Sequence, residues 1–418
     1  MKNVAPVALL LALTLCTLRV NAEDEPQIIT PEGLATSQML PSLDGAVADL
    51  PLSAAAPGNL MLNDAVSRAV SWHPSIRESI GKLLSQNEQI DVAKSKYYPQ
   101  VSAGMNNGYS NTYTDHGFSP ALVISVSQML YDFGKVASQV RAETAGAAQQ
   151  QANVLLSIDT IAHATANAIV QVQTWQQMVD AAEEQLTALN DIGQLTRQRN
   201  DEGATSLSDV VQTDARIESA RSQLAQYQAN LDSSKATLMS YLGWNSLNGI
   251  SNEFPAKLDS SCDVVKPEDK LVPAVLAAWA QANVAQANLD YANAQMTPTI
   301  SLEPSVQHYL NDKYPSHEVL DKTQYSTWVK VEMPLYQGGG LTARRNPASH
   351  AVESAQYSIQ RTRLEVRQKL LESRSQAMSL ATALQILRRQ QRLSEQTREL
   401  YQQQYLDLGS RPLLDVLN

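Results

Sequence analysis

Apolar and polar residues alternate along four stretches of the chain, two in each half. In the last of these, Tyr325, Val329 and Val331 occupy one set of alternate positions, and Lys330 and Glu332 occupy the other. A period of two is typical of β-strands with one apolar and one polar face. The alternation predicts strands over about 99–114, 119–131, 298–311 and 322–336.

A different period fills the segments that follow the strands. Apolar or small residues recur every seven positions, and this heptad spacing predicts helices that pack as coiled coils. One series is Ile158, Thr165, Val172, Val179, Leu186 and Gly193, and another is Val352, Ile359, Val366, Ser373, Leu380, Leu387, Ser394, Tyr401 and Leu408. The pattern predicts long helices over 134–200, 205–243 and 341–408. The first of them would span roughly 100 Å at about 1.5 Å per residue.

The same order of elements occurs twice along the chain. Tyr131 in "LYDFG" corresponds to Tyr336 in "PLYQGGG", and Gly203 in "DEGATSLSDVV" corresponds to Gly409 in "DLGSRPLLDVL". Short glycine loops between helices indicate antiparallel hairpins with the glycine turn at the tip. We therefore predict a first repeat over 60–243, a connector over 244–271 and a second repeat over 272–418.

Both ends of the chain differ from these repeats. A basic residue, an apolar run and the small residues "VNA" predict a secretory signal peptide over 1–22. Residues 23–59 show no periodicity and are expected to form a flexible N-terminal arm. In the first repeat the helix after Gly203 continues for forty positions to Gly243, whereas Asn418 lies nine positions after Gly409. From this comparison we expect the second repeat to be truncated, with about thirty residues of a returning helix missing.

Together these patterns predict a mostly α fold with a strand portion, built from two structural repeats. Four strands cannot close around a lumen, so a membrane β-barrel with an apolar outer face requires several chains to pool their strands. A soluble sheet with one wet face is the alternative interpretation of the same alternation.

Composition narrows the function classes. The formal net charge of −10 argues against a general nucleic-acid binder. Of the two cysteines, Cys16 lies in the predicted signal peptide and Cys262 stands alone, so neither a disulfide framework nor a thiolate metal site is expected. The six histidines lack metal-ligand spacing, and no catalytic motif was found, so we predict no enzyme, no metal and no cofactor.

In order and duplication, several motifs resemble the TolC family of outer-membrane efflux and secretion channels. They are "LNDAVSRAVSWHPSIRES", "YYPQVS", "LYDFGK", "MPLYQGG", "DEGATSLSDV" and "LGSRPLLDVL". The resemblance implies a homotrimer whose twelve pooled strands form a β-barrel, continued by an α-helical periplasmic tunnel. It also implies three further partners: outer-membrane lipid, a periplasmic adaptor (membrane fusion) protein, and an inner-membrane transporter of the ABC or proton-driven kind. It implies no nucleic-acid partner. The implied location is the outer membrane of a Gram-negative bacterium, with the helices in the periplasm.

The resemblance also implies site residues. Gly409, Arg411 and Asp415 match the turn that closes the periplasmic entrance of such channels. Asn418 stands where a second acid is expected, and Tyr405 lies one position from an expected tyrosine. The first hairpin tip would use Gly203, Ser206 and Asp209, although ordinary helix N-terminal charge explains Asp209 equally well. The predicted strand-to-helix turns are Tyr131, Asp132 and Gly134 in the first repeat, and Tyr336, Gly338 and Gly339 in the second.

The resemblance implies that the chain is an exit duct of a tripartite export system. Leu15 before Cys16 lacks the small side chain that lipid attachment needs, and this, with "LYDFGK", favours type I secretion of a protein, for example an adhesin, over small-molecule efflux. A periplasmic adaptor-like coiled-coil protein without a pore is the alternative.

Overall fold

The computed structural model describes residues 58–110, 117–253, 255, 258, 268–310 and 321–406. The predicted signal peptide and nearly all of the N-terminal arm lie outside the described residues. So do the turn residues Gly409, Arg411, Asp415 and Asn418.

Six α-helices and six strands follow one another along the described residues. In chain order they are α1 (Leu62–Trp72), α2 (Pro74–Lys94), β1 (Gln100–Asn106), β2 (Tyr109–Ser110), β3 (Gly117–Phe118), β4 (Ala121–Tyr131), α3 (Lys135–Asp201), α4 (Leu207–Leu242), α5 (Pro273–Ala294), β5 (Thr299–Tyr309), β6 (Thr323–Glu332) and α6 (Gly340–Leu406). Helices α3 and α6 have 67 residues each. No helix among the described residues combines the length and the apolar character needed to cross a bilayer.

The chain folds into two compact units that cut across the sequence repeats. Among the described residues, the first unit contains those within 79–156 and 269–363, and the second contains those within 58–78, 157–268 and 364–406. Each unit therefore combines segments of both repeats.

The first unit contains a four-stranded antiparallel sheet in the order β1-β4-β5-β6. Its two central strands come from different repeats. One face of the sheet is apolar and includes Ile124, Val306 and Val329, as the alternation predicts. The other face is polar, and its serine hydroxyls pair across strands at 2.7 Å, Ser102 with Ser125 and Ser305 with Ser326.

The predicted first strand is interrupted. Strand β1 ends at Asn106, and after Asn107 and Gly108 the chain forms β2, which pairs with β3 in a separate two-stranded sheet. The Gly108 carbonyl accepts a hydrogen bond from the Ser119 amide instead of continuing the first ladder. The continuous strand expected over 99–114 is therefore wrong in its described part, because Asn-Gly pairs favour turns over extended backbone.

Small side chains bring the helices of the first unit close together. Ala142 and Ala145 of α3 pack on Ala287 of α5, and Ala148 and Ala152 pack on Leu276 and Ala280. Alanine contributes little surface per residue, so many short contacts along the helix replace one bulky core.

The second unit contains the hairpin of α3 and α4. Most of the residues of α3 that are buried here follow the heptad pattern, and Ile169 is buried outside it. Those in the pattern include Ile161, Thr165, Ala168, Val172, Val179, Ala182, Leu189 and Thr196. Leu189 packs on Ile217 and Ala220 of α4. In α6, by contrast, the heptad residues Leu380 and Leu387 remain 60% and 58% exposed in the single chain.

Candidate functional site

The first hairpin tip is a turn held by both backbone and side chains. Gly203 adopts a left-handed conformation with φ of +72°, and the Ala204 amide donates to the Arg199 carbonyl. The Asn200 side-chain amide donates to the Thr205 carbonyl at 2.9 Å. Behind the turn, Arg197 of α3 forms an ion pair with Asp214 of α4. The tip is therefore braced from α3 to α4.

Ser206 and Asp209 form a capping box at the start of α4. The Asp209 amide donates to the Ser206 hydroxyl, and the Asp209 carboxylate accepts from the Ser206 amide and, at 2.7 Å, from the Thr205 hydroxyl. These hydrogen bonds, first of all that from Thr205, lower the pKa of Asp209 below its ordinary value. The cap gives Asp209 a structural role, and its role in a pore remains a prediction.

The cap makes the tip sensitive to acid. Because the folded-state pKa of Asp209 is lowered, its stabilisation is complete above the unfolded pKa and is lost as the pH falls through the folded pKa. We expect Ser206→Ala to cost about 1 kcal/mol. Amide hydrogen exchange in the first turn of α4 would measure this change.

Asp209→Asn should remove the acid-dependent part of that protection and leave exchange at neutral pH less affected. Ser222→Ala, at an exposed position farther along α4, is the matched control. Identical exchange in Ser206→Ala and Ser222→Ala would contradict the capping role.

The first strand-to-helix turn is organised by a buried carboxylate. Asp132 is 7% exposed and accepts hydrogen bonds from the amides of Gly134 at 3.0 Å and Val136 at 2.6 Å. Gly134 has φ of +89°, and Phe133 has φ of +54°. The turn also carries Tyr131, whose ring lies 4.6 Å from that of Phe133. Asp132 thus caps the N-terminus of α3, where the free amides and the helix dipole favour a negative charge.

The second strand-to-helix turn is built differently. Gly338 and Gly339 both have positive φ, +61° and +80°, and Tyr336 is 84% exposed. The Gly340 amide donates to the Gln337 carbonyl. Here the backbone freedom of two glycines takes the place of the aspartate cap. The two repeats therefore have a strand-to-helix turn at the same position but form it in different ways.

The gate residues predicted in the second repeat are not described by the structure. Tyr405 lies in the last turns of α6, and Arg411, Asp415, Asn418 and Gly409 follow outside the described residues. Among the residues that the structure does describe, no cluster of histidine, cysteine and acidic side chains could hold a metal ion.

A packed junction lies where α4 ends, and no sequence pattern predicted it. Gly243 is left-handed with φ of +65°, and the Trp72 indole occupies the space into which a Cβ at this position would project. The Arg68 guanidinium lies 5.9 Å from the centre of that indole, and His73 stacks on Tyr241 at 5.8 Å. Burial lowers the pKa of His73. A glycine followed by tryptophan carries no periodic signal, so only the tertiary contact reveals this junction.

Comparison with known proteins places these features in a family. The family described as "Outer membrane efflux protein" matches residues 65–244 and 270–418, which is most of the chain and includes both repeats. The chain belongs to the outer membrane efflux protein family. Outer membrane efflux protein BepC of Brucella suis is 24% identical over 326 residues, covering 75% of this chain and 69% of BepC. Outer membrane protein TolC of Salmonella enteritidis is 23% identical over 368 residues, covering 83% and 73%.

Solved structures confirm the fold. The outer membrane protein VceC from Vibrio cholerae aligns with a TM-score of 0.69 at 19% identity, over 85% of this chain and 88% of VceC. The predicted TolC-family resemblance and mostly helical channel-tunnel fold are therefore confirmed. Membership of this efflux protein family also means that the chain is an outer membrane protein with a periplasmic helical part and not an enzyme.

Proposed function

We propose that three copies of this chain form one exit duct across the outer membrane, each contributing the strands β1, β4, β5 and β6 to a twelve-stranded barrel. The main support for this proposal is the amphipathic sheet. Its apolar face suits lipid and its polar face suits a water-filled lumen. Both edges, β1 and β6, lack a further partner among the described strands, so a neighbouring copy can extend the sheet on either side.

The long helices support the periplasmic part of the duct. Helix α6 exposes Leu371, Met378, Leu387 and Leu393 by about half or more in the single chain. A surface helix with this much exposed apolar area is expected to pack on neighbouring helices. A tunnel of several copies provides such neighbours. A periplasmic adaptor protein and an inner-membrane transporter, of the ABC or proton-driven kind, would then complete the export system.

For the cargo we retain type I secretion of a protein, supported by the sequence features around Cys16 and by "LYDFGK". Deleting the gene and comparing secreted proteins with antibiotic susceptibility would distinguish the two cargo classes. Loss of one large secreted protein with unchanged susceptibility is the expected result. Raised susceptibility with an unchanged set of secreted proteins would instead establish small-molecule efflux.

The duct itself is tested by conductance. The purified mature chain, inserted in a planar bilayer, should give discrete conductance steps, and crosslinking in detergent should stop at trimers. A well-folded trimer that never conducts would overturn the duct, whereas a monomer released by osmotic shock without detergent would favour the adaptor-like alternative.

The role of Arg411 in the proposed gate can be tested by substitution. Arg411→Ala should raise open-channel conductance, because it removes a cation that can bond carboxylates across the entrance. Arg398→Ala, which removes the same charge from an exposed position of α6, is the matched control. Equal conductance in the two variants would count against a gate role for Arg411.

A further inference from the structure

Charged side chains gather on the polar face of the sheet where β5 begins and β6 ends. In this antiparallel pair, Ser301 is opposite Lys330 and Glu303 is opposite Trp328. The Lys330 ammonium lies 2.9 Å from a Glu332 carboxylate oxygen and 3.9 Å from one of Glu303. The same Glu303 oxygen accepts a hydrogen bond from the Ser301 hydroxyl at 3.0 Å. Lys330 is thus shared between two carboxylates.

A second lysine adjoins this group. The Lys135 ammonium, at the start of α3, donates to the Thr299 hydroxyl at 2.8 Å, and Thr299 is directly opposite Glu332. Glu303 and Glu332 contribute −2, and Lys135 and Lys330 contribute +2, so the cluster sums to zero.

The cluster contributes little to stability. The side chains of Lys330, Glu303 and Glu332 are 50%, 37% and 70% exposed, so water screens these ion pairs strongly. Their main physical effect is the charge that they place on the polar face, which acts on ions within about a Debye length.

We propose that Lys330 determines the ion selectivity of the sheet end of the channel, by cancelling carboxylates that would otherwise attract cations. This inference rests on the proposed function, which turns the polar face towards the lumen. A ring of fixed charge in a pore selects ions of the opposite sign. Lys330→Gln gives the cluster a net charge of −1 in each copy, or −3 in three copies. Glu332→Gln gives it a net charge of +1 in each copy, or +3 in three copies.

Reversal potentials in a potassium chloride gradient test the selectivity. At about 10 mM salt, where the Debye length is about 30 Å, Lys330→Gln should shift the reversal potential towards that of potassium, and Glu332→Gln should shift it towards that of chloride. Both shifts should shrink near 1 M salt, where the Debye length is about 3 Å. Lys330→Arg keeps the charge and should behave as the wild-type chain.

Trp328 gives a readout that needs no conductance. Its side chain is 67% exposed on the same face, two residues from Lys330. The fluorescence of Trp328, taken as the difference from a Trp328→Phe variant, can be quenched by iodide or by caesium. In Lys330→Gln we expect the iodide quenching constant to fall by about twofold and the caesium constant to rise, since a change of less than one kT in local potential suffices.

The outcomes separate the two proposals. Conducting variants with identical reversal potentials would overturn the role of Lys330 and leave the duct in place. Channels that never conduct would overturn both the duct and the role of Lys330 in ion selectivity. The quenching data would then still report whether Lys330 balances the carboxylates on the polar face. Quenching that does not differ between Lys330→Gln and Lys330→Arg would overturn the charge balance.

Discussion

Replacing Gly243 by alanine should destabilise the second unit by about 2–5 kcal/mol. The left-handed backbone costs an L-residue roughly 1–2 kcal/mol, and forcing a methyl group into packed surroundings costs about 1–3 kcal/mol more. The added Cβ would overlap the Trp72 indole, which closes over this glycine. Urea unfolding in detergent, monitored by circular dichroism, would measure the difference.

Gly203 provides a matched control for that experiment. It has a similar φ of +72°, but a Cβ there meets nothing within 4 Å. Gly203→Ala should therefore cost only the backbone part, about 1–2 kcal/mol. If the two variants unfold at the same urea concentration, the contact with Trp72 has no energetic role. Adding Trp72→Ala to Gly243→Ala should recover part of the loss, although Trp72→Ala alone is destabilising.

Asp132→Ala should cost about 2–4 kcal/mol, because it removes a cap and leaves two amides at the start of α3 without an acceptor. The loss is large for a surface turn because Asp132 is 7% exposed and water reaches the freed amides poorly. Hydrogen exchange of the Gly134 and Val136 amides would report it directly. Asp132→Asn keeps one acceptor oxygen, so its stability should lie between that of the wild-type chain and that of Asp132→Ala.

An aspartate at the other end of α3 provides a control for the Asp132 substitution. Asp201 is exposed at the C-terminus of α3, where the helix dipole disfavours negative charge. Asp201→Ala should change stability by less than about 0.5 kcal/mol. A loss of similar size in both variants would show that Asp132 does not act as a cap.

Periodicity accounts for the parts of the fold that local rules control. The helix expected over 134–200 spans Lys135–Asp201, since Gly134 and Gly203 mark its ends through their left-handed backbone. The apolar heptad residues Val172 and Val179 are buried, as coiled-coil spacing requires. These features can be predicted because each depends only on residues within a few helical turns of one another.

Long-range pairing could not be predicted in the same way. Nothing in the alternation of β4 says that β5 of the other repeat is its neighbour, because alternation distinguishes the two faces of a strand but not its two edges. The contact between Trp72 and Gly243 joins residues far apart in the chain. Asp209 resembles both a pore residue and a helix cap, and only the hydrogen bonds to Thr205 and Ser206 reveal the cap.

The sheet order has a consequence for how copies can join. Its four strands alternate in direction, so β1 and β6 run opposite ways at the two edges. A β6 edge that meets the β1 edge of the next copy therefore continues the antiparallel alternation across the seam, whatever the number of copies. With an odd number of strands per chain, every seam would instead be a parallel pair. The hairpin, and not the single strand, is thus the smallest unit that each chain could gain or lose while every seam between copies stays antiparallel.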